Sequence, residues 1–285
     1  LYILFSMSFN FPLILLVLVV FSGVVLLIDG CFMLWRRRLG VAPRSELPPV
    51  IDYAHAFFPI LFIVFVIRSF IVQPFRVPTG SLSPTILPGD MIIVTQYNYG
   101  LYWPVWDSVM VPVGHPKRGQ IALFRYPVNP IVPFVKRVVG VPGDEISYID
   151  KVFYINGKPC PQTYLGEAKE YASDGSYQIV KVYEENLEGI KHKIYRNPAR
   201  SVPNFYNVKV PEGQYMMVGD NRDNSDDSRS WGFVDQDAFI GQAHFIWMSW
   251  NSHADLLHKI RWNRIGNGLQ QVPQVISQDA QPSDN

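Results

Sequence analysis

Two side chains in this 285-residue chain could carry out acyl transfer together, a serine at position 81 and a lysine at position 136. Ser81 lies in the segment PTGSLSPT (residues 78–85), after a glycine and shortly before a proline, with a second hydroxyl close by at Ser83. A rigid turn suits a nucleophile, because it holds Oγ in place and lets a backbone N–H face a developing oxyanion. An ordinary Ser/Thr/Pro linker has the same composition, so the segment alone leaves both interpretations open.

Lys136 lies in an apolar run, FVKRVVG (residues 134–140). In a strand it shares a face with Phe134 and Val138. Burial can lower a lysine pKa by as much as about 3–5 units, and a neutral amine can accept a proton from a serine. The alternative is a lysine whose stem lies along the sheet and whose charged head reaches water.

A third segment, GDNRDNSDDSR (residues 219–229), is dense in polar side chains and directly follows an apolar strand pattern. Its spacing does not match a calcium loop, which needs Asp-x-Asp-x-Asp-Gly and a later Glu. A solvated loop is the simple interpretation. A buried polar network that braces a catalytic group fits the density of charged and amide side chains better.

Other catalytic patterns are missing from the sequence. It contains no Gly-x-Ser-x-Gly, no His-Glu-x-x-His and no Cys-x-x-Cys, and its six histidines show no metal-ligand spacing. A Ser-His-Asp triad assembles in space, so spacing does not exclude one. We predict no metal and no cofactor.

The elements that must position these residues begin with two apolar runs. The chain is 48% hydrophobic and only 17% charged, against about 25% in ordinary soluble domains, and residues 1–28 contain no charged side chain. About 20 apolar residues are needed for a helix to cross a bilayer core. We predict transmembrane helices over residues 11–35 and 55–73, the second with Arg68 near its far end, where an arginine can reach the interface.

The alternatives are a cleaved signal peptide for the first run and a buried core helix for the second. A signal peptide carries its positive charge before the apolar core, whereas Arg36, Arg37 and Arg38 follow it here. Positive loops stay in the cytoplasm, so we expect residues 36–54 to be cytoplasmic and residues 1–10 to be extracytoplasmic. Leu1 and Met7 both remain open as the first residue of the protein.

After the second run, short β-branched and aromatic segments alternate with Gly, Pro, Asn and Asp turns. This pattern predicts a mainly β extracytoplasmic domain over residues 74–160 and 206–265, with a peripheral insertion over 161–205 and a disordered tail over 266–285. The aromatic segment over residues 100–116 is either a hairpin packed on the core or a surface that dips into the membrane interface. The net charge of +1 argues against a nucleic-acid partner, and Cys31 and Cys160 lie on different segments, which argues against a disulfide.

Four segments in order resemble the motifs of type I signal peptidases (leader peptidases), a bacterial family that removes signal peptides from exported proteins. They are FRVPTGSLSPTILPGD (75–90), HPKRGQIALFRYP (115–127), KRVVGVPGD (136–144) and GDNRDNSDDSRSWG (219–232). The two apolar runs before them are also in the family order. The resemblance implies two N-terminal transmembrane helices followed by a mainly β extracytoplasmic catalytic domain with a signal-peptidase-like antiparallel β fold.

The resemblance also implies a Ser/Lys mechanism. Ser81 would be the nucleophile and Lys136 the neutral general base. Thr79 would assist the Ser81 N–H in the oxyanion hole, and Ser225 would hold the Lys136 amine. A structural ion pair would join Asp227 and Arg229.

The residues that would bind the substrate are apolar, and would form shallow pockets for small side chains at positions −1 and −3 of the cleavage site. They are Val77, Pro78, Leu82, Ile86, Phe134 and Val135. The expected partners are preproteins carrying signal peptides and membrane lipid, at the cytoplasmic (inner) membrane with the catalytic domain on the periplasmic side. Two rivals remain: a Ser/Lys peptidase dedicated to one secretion or conjugation system, and a non-catalytic anchored binding protein, which would be expected to lose Ser81 or Lys136.

Overall fold

The structure is a computed structural model that describes residues 11–41, 47–103, 109–171, 176–251, 254 and 259–269. It divides into two compact units, Leu1–Gln73 with Gly100–Pro112, and Pro74–Tyr99 with Val113–Asn285. The predicted N-terminal segment 1–10 lies outside the described residues.

The first unit contains helices α1 (Phe11–Arg38) and α2 (Pro49–Val66), with a π-helical turn over Ile67–Ile71 after α2. Two candidate spans, Pro12–Arg38 and Pro49–Ile71, are long and apolar enough to cross a membrane, with mean hydropathy of 2.8 and 2.2. Only Ala54 and Phe65 of α2 are buried, so the described structure does not favour a buried core helix there. A short patch centred on Leu15, Val19 and Phe65 packs α1 on α2.

The helix ends differ from the predicted bounds for local reasons. Helix α1 continues to Arg38, because cations are favoured in the last turn of a helix. Helix α2 begins at Pro49, well before the apolar run, because proline is tolerated at the first helical position. Hydropathy marks the apolar part of a helix, whereas backbone hydrogen bonds decide where the helix begins and ends.

The second unit is built on a seven-stranded sheet with the order β1-β2-β16-β5-β6-β14-β15. Its strands are β1 (Val72–Arg76), β2 (Asp90–Thr95), β5 (Ile121–Tyr126), β6 (Asn129–Gly140), β14 (Gln214–Val218), β15 (Val234–Asp235) and β16 (Phe239–Ser249). The pairings from β2 through β15 are antiparallel, as the resemblance implied. A single helical turn, α3 (Ser228–Trp231), precedes β15.

Three smaller sheets complete the described fold. The first has the order β13-β7-β8-β9, with β7 (Glu145–Ile149), β8 (Val152–Ile155), β9 (Lys158–Pro159) and β13 (Phe205–Lys209). The second has the order β10-β11-β12, with β10 (Gln162–Tyr171), β11 (Tyr177–Leu187) and β12 (Ile190–Arg196). The third is the hairpin β3 (Gly100–Tyr102) and β4 (Val109–Pro112) in the first unit.

Strand β6 is the element that matters most for the site. It lies between β5 and β14, and its residues 135–140 are all buried, on both faces of the strand. Apolar clusters that include Val135, Val138 and Val139 cover these two faces. The other half of the strand, residues 129–133, is exposed. A side chain at position 136 is therefore buried by the sheet itself.

Two boundaries of the β domain differ from the sequence interpretation. Leu269 is buried in a core cluster and its N–H donates to the carbonyl of His244, so the ordered domain extends beyond residue 265. The segment predicted as a peripheral insertion forms β10–β12, and its Glu185 and His192 are buried. Residues 270–285 of the predicted tail lie outside the described structure.

Candidate active site

Lys136 is the buried amine of the site. Its side chain is 3% exposed, and Nζ donates a hydrogen bond to Ser225 Oγ at 2.9 Å. Burial lowers the pKa of this amine to about 8, and the carboxylates of Asp227 and Asp226 only partly oppose that effect. A lysine with this pKa can serve as a proton acceptor near neutral pH.

A carboxylate and an arginine hold the Ser225 hydroxyl. Ser225 hydrogen-bonds to Asp227, which also accepts from the Gly219 N–H at 3.0 Å and pairs with Arg229 at 2.8 Å. Although burial alone would raise the pKa of Asp227, Arg229 and these hydrogen bonds hold it below its usual range. Because the Ser225 hydroxyl donates its hydrogen bond to Asp227, its oxygen is oriented to accept from Lys136, and this fixes the amine.

Ser81 begins a turn that follows the exposed residues Pro78 and Thr79. Its carbonyl accepts a hydrogen bond from the Asn221 N–H at 3.0 Å, which ties the turn to the segment that carries Ser225. Ser81 is partly exposed, whereas Ser83 is 3% exposed. Of these two serines, Ser81 presents more surface to a substrate.

Glycine is required where the two segments approach each other. A Cβ built on Gly219 would overlap both Ser225 Oγ and the carbonyl oxygen of Ser81. One of the atoms that this Cβ would meet is a backbone carbonyl oxygen, so any side chain at position 219 would push the Ser81 turn away from the Ser225 loop. The structure thus brings together the turn of the candidate nucleophile and the partner of the candidate base.

A buried ion pair beneath the site was not predicted. Arg137 Nε and Nη2 donate to the two carboxylate oxygens of Asp220, each at 2.7 Å, and Nη1 donates to the Gly119 carbonyl at 2.7 Å. Thr85 of the Ser81 turn also donates to Asp220. One carboxylate therefore joins the strand of Lys136, the turn of Ser81 and the loop of Ser225. The signal in the sequence was an arginine in a central strand, which when buried needs a carboxylate partner.

A second buried group comes from the β10–β12 sheet. Glu185 accepts two hydrogen bonds from Arg222, and His192 Nε2 lies 3.3 Å from Glu185 Oε2. Burial opposes ionisation of Glu185, but Arg222 and His192 hold its pKa below the usual range. Burial also lowers the pKa of His192, which favours its neutral form. Nothing in the sequence pattern indicated that these residues meet Arg222.

The prediction of a buried polar network over residues 219–229 is confirmed. Asp220, Asn221, Arg222 and Asp227 each expose 1% or less of their surface. Among the described residues, no group of three His, Cys, Asp or Glu side chains could hold a metal ion.

Known proteins resemble this chain over most of its length. Residues 50–250 match the family model described as signal peptidase, peptidase S26. The chain belongs to this family. It is 38% identical to signal peptidase I of Pseudomonas fluorescens over 91% of this chain and 99% of that protein. It is 36% identical to signal peptidase I of Pseudomonas aeruginosa over 86% of this chain and 94% of that protein.

A solved structure of signal peptidase I from Enterococcus faecalis is 28% identical, with a TM-score of 0.28, and the match covers 46% of this chain and 97% of that one. The family assignment comes from the sequence matches. As a signal peptidase, the chain is a serine endopeptidase, a hydrolase that removes signal peptides.

The apolar residues expected to bind substrate in this signal peptidase fall into two groups. Pro78 is exposed and Phe134 is partly buried. The others are buried members of one core cluster, and Leu82 and Ile86 expose no surface at all: Val77, Leu82, Ile86 and Val135. Contact between a substrate and Leu82 or Ile86 would therefore need a movement of the covering residues.

Proposed function

We propose that this chain is a membrane-anchored signal peptidase in which Ser81 attacks the scissile carbonyl and neutral Lys136 accepts its proton. The observation that carries the proposal is the buried Lys136 amine, whose hydrogen-bonding partner is the Ser225 hydroxyl at 2.9 Å. With a pKa of about 8, about one tenth of the amine is neutral at pH 7. An ordinary lysine, with a pKa of about 10.4, is almost fully protonated at that pH.

The proposed reaction has two stages. In the first, Ser81 Oγ bonds to the carbonyl carbon, its proton moves to Lys136 Nζ, and Lys136 then gives that proton to the leaving amine as the peptide bond breaks. In the second, water attacks the ester, Lys136 takes the proton of the water, and the Ser81 oxygen leaves with that proton. The Ser81 N–H and the Thr79 hydroxyl are the proposed donors to the oxyanion.

Three hydrogen-bonded side chains support this sequence of steps. Ser225 holds the amine through its oxygen, and Asp227 with Arg229 holds Ser225. Since these groups are bonded before substrate arrives, the amine needs little reorganisation during proton transfer.

We propose that the enzyme prefers small side chains at the −1 and −3 positions of its substrates. The deeply buried Leu82 and Ile86 make any pocket beside Ser81 shallow, and Pro78, Phe134 and the edge of Val135 supply apolar contact. An alanine side chain fits such a surface, while a larger one clashes with the packed core.

The proposed location is the extracytoplasmic side of the cytoplasmic membrane, with lipid as a partner and no nucleic acid. Two features support it. Arg36, Arg37 and Arg38 end α1, which favours a cytoplasmic position for the loop that follows. Ser81 follows the end of the second candidate span, Ile71, by ten residues, so the proposed nucleophile lies close in sequence to the membrane anchor.

The test uses the full chain in lipid or detergent with a panel of preproteins, followed by N-terminal sequencing of the products. Ser81→Ala and Lys136→Ala are expected to abolish cleavage, whereas the matched control Ser83→Ala, which removes the buried neighbouring hydroxyl, retains it. Substantial cleavage by Ser81→Ala would contradict the assignment of Ser81 as the nucleophile. Products that begin at many different sites would contradict the preference for small residues.

A further inference from the structure

The carboxylate of Glu170, on strand β10, accepts hydrogen bonds from two asparagines of the 219–229 loop, the loop that contacts both the Ser81 turn and the Lys136 amine. Its Oε1 accepts from Asn221 Nδ2, and its Oε2 accepts from Asn224 Nδ2 at 2.6 Å. Asn221 Nδ2 also donates to the Gly80 carbonyl at 3.1 Å, and the Asn221 N–H donates to the Ser81 carbonyl at 3.0 Å. One oxygen of Glu170 thus reaches the Ser81 turn through Asn221.

The other oxygen reaches the loop of the Lys136 partner. Asn224 directly precedes Ser225, and Ser225 accepts the hydrogen bond of the Lys136 amine. Fixing the Asn224 side chain therefore restricts the backbone next to Ser225. Glu170 therefore holds the loop at two points, one at Asn221, which contacts the Ser81 turn, and one at Asn224, next to the partner of Lys136.

Glu170 is itself held in place by its own sheet. Gln178, opposite Glu170 in the β10–β11 pairing, donates to Oε2 at 2.7 Å, and Asn197 donates to Gln178 Oε1 at 2.7 Å. A carboxylate can accept from all three amide groups at once. A glutamine at this position has one oxygen and one NH₂, so it can satisfy only one side of the arrangement.

We infer that Glu170 is a positioning residue that sets the distance between Ser81 and Lys136. The inference rests on the proposed function of these two residues, because Glu170 contacts neither the substrate nor the reacting atoms. A small misplacement of reacting groups can cost about 100-fold in rate. The β10–β12 sheet therefore contributes to catalysis through this carboxylate.

The experiment measures kcat, KM and the pH dependence of preprotein cleavage for full-length Glu170→Gln and Glu170→Ala. We expect kcat to fall about 10- to 100-fold while KM changes by less than about twofold. In both Glu170 variants, cleavage activity should still rise with pH with a midpoint near pH 8, because Lys136 stays buried. Glu167, an exposed glutamate on the same strand, is the matched control, and Glu167→Gln and Glu167→Ala are expected to match the wild type.

A second readout separates positioning from general loosening. The variant Glu170→Ala/Asn224→Ala is expected to lose no more activity than Glu170→Ala alone. Asn224→Ala removes the same hydrogen bond that Glu170→Ala already removes, so the two effects do not add. A wild-type kcat in both Glu170 variants overturns the inference. So does a pH midpoint that moves toward that of an ordinary lysine, which means water has reached Lys136, or a KM that rises as much as kcat falls.

The parallel variant Ser81→Ala keeps the two hypotheses apart. If Ser81→Ala is inactive while both Glu170 variants are fully active, only the positioning role is wrong. If Ser81→Ala cleaves preproteins, the proposed mechanism is wrong whatever the Glu170 variants do.

Discussion

Replacing Lys136 with methionine should abolish cleavage and at the same time stabilise the fold at neutral pH. Methionine keeps a flexible apolar side chain of similar length in the buried site but removes the amine. Burial lowers the pKa of Lys136 from 10.5 to about 8, whereas in the unfolded chain a lysine keeps a pKa near 10.4. The native state therefore resists protonation of this amine.

The size and the sign of the effect follow from that difference. Between pH 8 and pH 10.5 the unfolded chain binds more protons than the native protein, so the stability of the wild type rises with pH in this window. Below about pH 8 the cost of the buried charge is fully present, and amounts to about 3 kcal/mol. Loss of the hydrogen bond to Ser225 offsets about 1 kcal/mol of the gain in the methionine variant.

The assay is unfolding of the full chain in detergent between pH 6 and pH 11, followed by tryptophan fluorescence. Lys136→Met is expected to be more stable than the wild type at pH 7 by about 2 kcal/mol, and this advantage disappears by about pH 10.5. The exposed Lys158, changed to methionine, is the matched control and should show no such pH-dependent difference. A difference between Lys136→Met and wild type that stays constant across this range, or grows with pH, refutes the buried-amine reasoning.

Three further outcomes follow from the same structure. Because only neutral Lys136 can take a proton, kcat/KM should rise with pH to a plateau with a midpoint near 8, and His192→Gln should leave that midpoint unchanged in a pH–rate profile. Asp220→Ala should lower the free energy of unfolding by about 3–5 kcal/mol in denaturant titrations, because it leaves the Arg137 charge buried without its partner. Cys160 should react with iodoacetamide only after denaturation, since burial raises the pKa of its thiol to about 12; rapid labelling of the native chain would contradict this.

Residues that occur in ordered motifs could be placed from the sequence, and residues that meet only in space could not. The apolar run around Lys136 indicated a strand, and the structure shows that strand buried on both faces. The density of polar residues after Gly219 indicated a buried network, which Asp220 and Asp227 confirm.

What the sequence could not supply was the choice of partners. Strand alternation tells which face a side chain takes, but not which other segment covers that face. Glu170, Glu185 and His192 lie in a Lys- and Glu-rich stretch whose composition is typical of a solvated surface. Their roles depend on the register of β10–β12 against the 219–229 loop, including the bridge between Tyr195 and Asn221, and that register is decided by tertiary packing.

The adjacent residues Lys136 and Arg137 show how one strand produces two opposite electrostatic outcomes. Successive side chains of a strand point to opposite faces, so each cation meets different neighbours. Arg137 meets the carboxylate of Asp220 in a bidentate pair, and a guanidinium remains charged in proteins, so this position supplies a permanent buried cation that ties three segments together. Lys136 meets the uncharged Ser225 hydroxyl, while Asp227 is already paired with Arg229. Exchanging the two residues would place beside Ser225 a permanent cation that could not accept a proton, and would leave Asp220 with an amine in place of its bidentate partner. The order Lys-Arg is therefore required by the chemistry on each face, and the double variant Lys136→Arg/Arg137→Lys should be both inactive and less stable than the wild type.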